Sequence, residues 1–572
     1  MLASTDKRSY LQDSLHFVAG PLAEPIKLAS EAAERAAAGL WRRDPSVWSA
    51  HPATQQKIAD RLGWLSSPKL MADSAPRLRA FAEQMKRDGI TDAVLLGMGG
   101  SSLAPEVIRA CIGATPGSLR FQMIDSTDPA SVRAAVTPPA RTLYILASKS
   151  GTTIEPNSLA AHFKQKLMDE GIARWAEHFV AITDEGTALA QRARTEGFRE
   201  VFINPSDIGG RYSALSFFGL VPAALMGVDL DALIGWGLAM LEAAEPKSDG
   251  ARGFSRATPN PAVALGLAIG AGANAGRDKL TLVLPERFEA FGLWVEQLIA
   301  ESTGKEGKGV VPIAGESIAD RSSYGSDRLF VRIRTDRRDR DIPLEPRVDI
   351  DVAEPAALGA EFVRWEIATA VAGALLDINP FDEPNVQQAK DATRTLLDQY
   401  KSTKRLPTAP ADRVARSGIE LTLSAAARQL LKNDDPEAIL TLIRTGDYAA
   451  LLAYLGHDEA LAAELASLRR TIRDRTGAAT MFGYGPRYLH STGQLHKGGP
   501  NSGVFVLITA TPEADVPIPG EPFSFGTLEL AQALGDFASL DATGRRALHA
   551  HLPAPDPGLL RQLAEALSAR LR

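Results

Sequence analysis

The feature that most restricts this chain is an alternation that begins near Asp92. Short apolar runs at Ala93–Leu96, Phe121–Ile124, Leu143–Ala147, Phe179–Thr183 and Glu200–Ile203 are separated by stretches of helical composition. Strands spaced this way predict a doubly wound parallel sheet with helices on both faces. Two of the runs break into unusual loops, Gly97-Met98-Gly99-Gly100-Ser101-Ser102 and Ser148-Lys149-Ser150-Gly151-Thr152-Thr153. Loops at the carboxyl ends of neighbouring parallel strands meet in one crevice. Glycines admit close backbone approach, and the N–H groups that open a helix favour anions. Five of the six residues from Ser148 to Thr153 offer a hydroxyl or an ammonium. The pair of loops points to a phosphorylated small molecule.

Either loop alone is weak evidence. In Gly97–Ser102 the third glycine of a dinucleotide fingerprint would fall on Ser102, and the GK[ST] ending of an NTP loop is missing. That loop taken singly reads equally as a tight strand-to-helix turn.

The chain's 572 residues carry a net charge of −6, so several domains are expected, and no basic face recommends a nucleic acid. Arg332–Asp341 alternates in sign and reads as a solvated strand end and loop. Cys111 is the only cysteine and the nine histidines show no HExxH cluster, so neither a disulfide nor a metal site is expected. No uncharged apolar run of about 18 residues suggests a membrane span, and Met1–Tyr10 lacks the apolar core of a secretory signal. A cytoplasmic protein is expected.

Residues 1–75 read as a helical N-terminal segment and residues 76–255 as the first α/β domain. A second, weaker α/β pattern over residues 256–400 includes Lys279–Leu284, Arg328–Ile333 and the apolar helix Gly359–Leu376. Lys401–Asp412 has linker composition. Residues 401–572 read as a mostly helical extension, with one strand near 504–509 that could complete the second sheet.

Four groups could carry chemistry. Gln297 and Glu301 lie four apart on the mostly apolar stretch Arg287–Ser302, so they share one helix face. Taken alone, Glu301 reads as an exposed helix-end carboxylate in preference to a base. Arg211 stands in the glycine turn Gly209–Ser213, where it could stabilise an oxyanion or cap carbonyls. Lys390 follows the proline-bounded turn at Asn379–Asn385, in a place where most lysines are solvated. His490 and His496 sit among glycines and hydroxyls, a loop composition that favours function.

Together these segments resemble the phosphoglucose isomerase family, built from two sugar-isomerase (SIS) domains. Its GxGGS, SK(S/T)xxTT, GGRxS, ESxGK and NxFDQxxVxxxK segments match Gly97–Ser101, Ser148–Thr153, Gly209–Ser213, Glu301–Lys305 and Asn379–Lys390, in that order. The resemblance implies two three-layer αβα SIS domains and interconversion of glucose 6-phosphate and fructose 6-phosphate through a cis-enediolate. By resemblance Glu301 is the base, Arg211 stabilises the enediolate, and Lys390 and a histidine open the ring. Ser148, Lys149, Ser150, Thr152 and Thr153 would hold the phosphate, while Gly100, Ser101, Gln297 and Glu383 would contact the rest of the substrate. No metal or organic cofactor is implied, and a homodimer is.

Two departures stand out. Glu383 replaces the family's usual glutamine, and no histidine lies between Glu301 and Lys390. Leu489–Gln494 resembles the LHSxGQ segment that carries the histidine in many bacterial members, which nominates His490 first and His496 second. The extension after Lys401 resembles that of the branch fused behind a transaldolase. Two other functions compete: a non-catalytic SIS sensor of phosphosugars, and an isomerase acting on both glucose and mannose 6-phosphates.

Overall fold

The structure, a computed structural model, describes residues 4–246, 260–336, 342–431 and 435–571. The chain forms two compact units. The first comprises Met1–Asp125, Thr137–Thr303 and Leu329–Asp382. One of its sheets is wholly parallel, in the order Arg120–Ile124, Asp92–Leu96, Thr142–Ala147, Phe179–Asp184, Glu200–Asn204. The chain enters at the second position, steps outward once, then crosses back to continue on the other side. That reversal is the switch point of a doubly wound sheet. It lies between Asp92–Leu96 and Thr142–Ala147, the two strands that feed the glycine- and hydroxyl-rich loops. Both strands are buried along their whole length, as sheets covered on two faces require.

In the unit's other sheet, Lys279–Val283, Arg328–Arg334 and Arg347–Asp351 are successive neighbours, and Leu15–Val18 closes the edge antiparallel to Arg347–Asp351. The N-terminal segment, expected to be helical, therefore supplies a strand between the helices Ser4–Gln12 and Ala23–Trp41. The charge-alternating run also needs correction. Arg332 and Arg334 lie in a strand whose parallel register sets them opposite Asp349 and Asp351. Their Nε atoms donate to those carboxylates at 2.7 and 2.8 Å, so they form buried cross-strand ion pairs and not a solvated strand end. Residues 337–341 of that run lie outside the described residues.

The second unit comprises Ser126–Val136, Gly304–Arg328 and Glu383–Arg572. It contains a six-stranded sheet in the order Arg413–Val414, Glu420–Leu423, Arg546–Leu552, Gly503–Ala510, Tyr448–Tyr454, Ala479–Tyr484. The strand expected near 504–509 is present as Gly503–Ala510, but it pairs inside this sheet instead of completing the sheet of 279–351. The extension is thus an α/β layer structure with its own core, including Leu451, Val506, Leu548 and Leu563. Tyr448–Tyr454 escaped notice because Tyr-Ala-Ala-Leu-Leu-Ala-Tyr has no period-2 alternation. A strand buried on both faces reads as a continuous apolar run, which a helix matches equally well.

No helix among the described residues is long and apolar enough to cross a membrane.

Candidate active site

The two loops at the switch point differ in construction. After Met98 the chain turns at Gly99, whose φ of +55° suits glycine, and forms a single 3₁₀ turn over Gly99–Ser101. Gly100 is glycine because another backbone lies against it. A Cβ there would overlap the carbonyl of Gly210 and stand 2.8 Å from the Arg211 nitrogen. Ser213 Oγ stands 2.5 Å from the Gly210 carbonyl and 3.2 Å from that of Gly100, so its hydroxyl bridges this loop and the Gly209–Ser213 turn. Ser101 is buried beside it.

The second loop is tied internally. Ser148 Oγ accepts from the Gly151 N–H at 3.1 Å and shares a hydrogen bond with Thr153 Oγ1 at 3.0 Å. The exposed Ser150 and Thr152 hydroxyls pair at 3.1 Å. Gly151, at φ +71°, packs onto Leu189. Thr153 then stands at the N-cap of the helix Ile154–Asp169, and its side chain makes no capping bond, so the open end of that helix lies beside the hydroxyls. The Lys149 ammonium points elsewhere. It pairs with Asp184 and donates to the Ser206 carbonyl at 3.0 Å.

Arg211 is the centre of the site in this unit. Its guanidinium is almost wholly buried and uses its whole fork. Nε donates to Ser302 Oγ at 2.8 Å, and Nη2 donates to the carbonyls of Pro380 and Asp382 at 2.8 and 3.0 Å. Nη1 stands 3.3 Å from Glu301 Oε1. Gln297 Nε2 donates to the other oxygen, Oε2, at 3.2 Å, as the four-residue spacing on the helix Glu289–Thr303 predicts. Tyr212, buried between Trp64 and Phe381, shares Ser302 and the Pro380 carbonyl with Arg211. Burial pushes its phenol well above the usual range.

The structure therefore brings Gly100, Ser101, Arg211, Gln297 and Glu301 into one connected set, with Ser148–Thr153 on the neighbouring strand of the same sheet. Glu383, Lys390 and His490 belong to the second unit. Glu383 is exposed in a turn, Lys390 is exposed on the helix Val386–Thr403, and His490 is half-buried at the end of the 3₁₀ turn Arg487–His490. His496 is a core residue. It is 1% exposed between Tyr488 and Phe505, with neither ring nitrogen hydrogen-bonded, and burial holds it neutral. Of the two histidines, only His490 is partly exposed.

Ser302, Tyr212 and the Pro380 and Asp382 carbonyls are the partners that sequence reasoning missed. Ser302 adjoins Glu301 and could have been suspected from that position. The carbonyls leave no trace in residue identity. Among the described residues no cluster of His, Cys, Asp and Glu is arranged to hold a metal.

The chain is similar in sequence to several known proteins. The glucose-6-phosphate isomerase of Trichormus variabilis is 27% identical over 448 residues, covering 67% of this chain and 82% of that protein. That of Synechococcus sp. (strain JA-2-3B'a(2-13)) is 29% identical over 405 residues, covering 59% of this chain and 74% of that protein. A solved glucose-6-phosphate isomerase from Chlamydia trachomatis superposes over 65% of this chain and 78% of its own, with 21% identity and a TM-score of 0.48. Residues 76–307, which carry both loops together with Arg211, Gln297 and Glu301, match the phosphoglucose isomerase family.

Proposed function

We propose that this chain interconverts glucose 6-phosphate and fructose 6-phosphate. The observation that carries the reading is the Glu301 carboxylate, gripped by Arg211 and Gln297 beside a loop built to take a phosphate. The phosphate sits on Ser148, Ser150, Thr152 and Thr153 at the open helix end, and Lys149 neutralises Asp184, which would otherwise repel it. Gly100 and Ser101 face the sugar. In the open-chain aldose Glu301 removes the C2 proton, leaving a cis-enediolate; the O2 hydroxyl proton passes to O1, and the same carboxyl returns its proton to C1 to give the ketose. Arg211 is permanently charged and already oriented by Ser302 and two carbonyls, so it stabilises the enediolate without reorganising. These steps move protons and electron pairs within the substrate and consume no oxidant or second substrate.

By family resemblance Lys390 and His490 serve ring opening and closing, and Glu383 accepts hydrogen bonds from sugar hydroxyls where relatives use glutamine. A homodimer and a cytoplasmic location belong to the same reading. The extension beyond Lys401 supports kinship with the branch fused behind a transaldolase.

The test is a coupled assay of fructose 6-phosphate turnover by wild type and Glu301→Gln. The variant is expected to lose at least ~10²-fold in kcat while retaining substrate binding. A wild type that binds sugar phosphate without turning it over would establish the sensor reading in place of the isomerase.

A further inference from the structure

We infer that Gln494 is a positioning residue for the isomerisation, a clamp between the segment that leaves the Glu301 helix and the turn that opens the Lys390 helix. This rests on the proposed function. Gln494 is completely buried in the helical turn Gly493–Gly498, and its amide is fully committed. Nε2 donates to the Gly304 carbonyl at 2.9 Å and to Asn385 Oδ1 at 2.8 Å, while Oε1 accepts the Asn385 N–H at 2.8 Å. Gly304 follows Glu301 by three residues, and Asn385 stands at the N-cap of the helix bearing Lys390. Asn385 makes no capping bond to its own helix, since its side chain is turned to Gln494 instead. One amide thus joins points 190 and 109 residues away in sequence.

The clamp has a fixed base. Lys497 Nζ meets Asp536 Oδ1 at 2.5 Å with both side chains buried, and Tyr488 OH donates to the other Asp536 oxygen. Arg545 Nη2 donates to the Lys497 and Gly499 carbonyls at 2.5 and 2.8 Å. Its front is packed to the limit. The Gly307 N–H donates to the Gly498 carbonyl at 2.9 Å, and a Cβ on Gly498 would stand 2.6 Å from Gln494 Nε2 and 2.9 Å from the Gly304 oxygen. A side chain that only filled the core would need neither two long-range partners nor a glycine held against it.

The experiment compares wild type with Gln494→Met, which keeps the volume and removes the amide, and Gly498→Ala, which drives a methyl group into the clamp. Asn385→Ala, at a half-buried turn, serves should the buried variants fold poorly. Each is measured for kcat and KM with fructose 6-phosphate, for the affinity and stoichiometry of 6-phosphogluconate binding, and for its urea unfolding midpoint. The expected result is a fall in kcat of about 10- to 100-fold with KM and the 6-phosphogluconate Kd within about threefold of wild type, because displacement of a reacting group costs rate before binding. Folded variants with wild-type kcat overturn the inference. So does a loss of kcat matched by an equal loss of binding stoichiometry, which would show mere unfolding. A wild type that binds but does not turn over removes the isomerase reading and this inference with it, an outcome distinct from an active enzyme indifferent to Gln494.

Discussion

Replacing Arg211 by lysine separates charge from geometry. The positive charge survives, but one nitrogen must replace a fork that reaches Ser302 Oγ, two carbonyls and Glu301. A lysine ammonium has three N–H donors, so one that keeps Glu301 can reach at most two of the remaining three acceptors, and at least one loses its donor. A buried acceptor so stranded costs about 1–3 kcal/mol. The enediolate also loses a preoriented donor, worth about 10²–10³ in kcat. Both effects can be read in one preparation: urea unfolding followed by tryptophan fluorescence, to which Trp64 contributes from its stack on Tyr212, and the coupled turnover assay. A folded Arg211→Lys protein with an unchanged midpoint and kcat within threefold of wild type would refute the argument that fork geometry, and not charge, is what the site uses.

Glu366 is fully buried in the helix Leu358–Leu375, and burial raises its carboxyl well above the usual range, so folding favours its neutral form. Its proton therefore stabilises the fold fully below about pH 4, and that contribution is lost as pH rises toward the raised folded value, at up to ~1.4 kcal/mol per pH unit. Glu366→Gln should accordingly gain stability over wild type as pH increases, and parallel unfolding curves from pH 5 to 8 would contradict this. Cys111 is buried and its thiol is pushed up to about 12, so a thiol reagent at pH 8 should find no reactive cysteine until the protein is unfolded. Gly100→Ala forces a methyl group onto Gly210 and should cost about 1–3 kcal/mol together with a loss of kcat, measured by urea midpoint and turnover.

Much of the first unit was legible because its signals are local. Strand, glycine turn and helix follow one another within about a dozen residues, so Gly97–Ser102 and Ser148–Thr153 announced both the parallel sheet and its switch point. The Gln297–Glu301 contact followed from helix periodicity alone. What stayed hidden depends on pairing across the chain. Leu15–Val18 is too short to signal a strand without Arg347–Asp351 to pair with. Arg332 and Arg334 look solvated until the register sets Asp349 and Asp351 opposite them.

The same distinction separates the site's reacting groups from the groups that hold them. Glu301 and Arg211 could be nominated because a carboxylate and a guanidinium have chemistry that residue type declares. Lys149 shows how far that declaration goes: an ammonium in a hydroxyl loop suggests a phosphate ligand, yet Asp184, 35 residues on at the end of the next strand, takes it. Residue type fixes what a side chain can bond, and the fold decides which of several equal partners it meets. Gln494 is the extreme case, since glutamine declares nothing and all its partners are remote. A substitution that removes such a partner should therefore damage rate more than one that removes a solvent-facing charge. Asn385→Ala against Arg394→Ala, one helix turn or more beyond it on an exposed face, puts that ordering to a direct kinetic comparison.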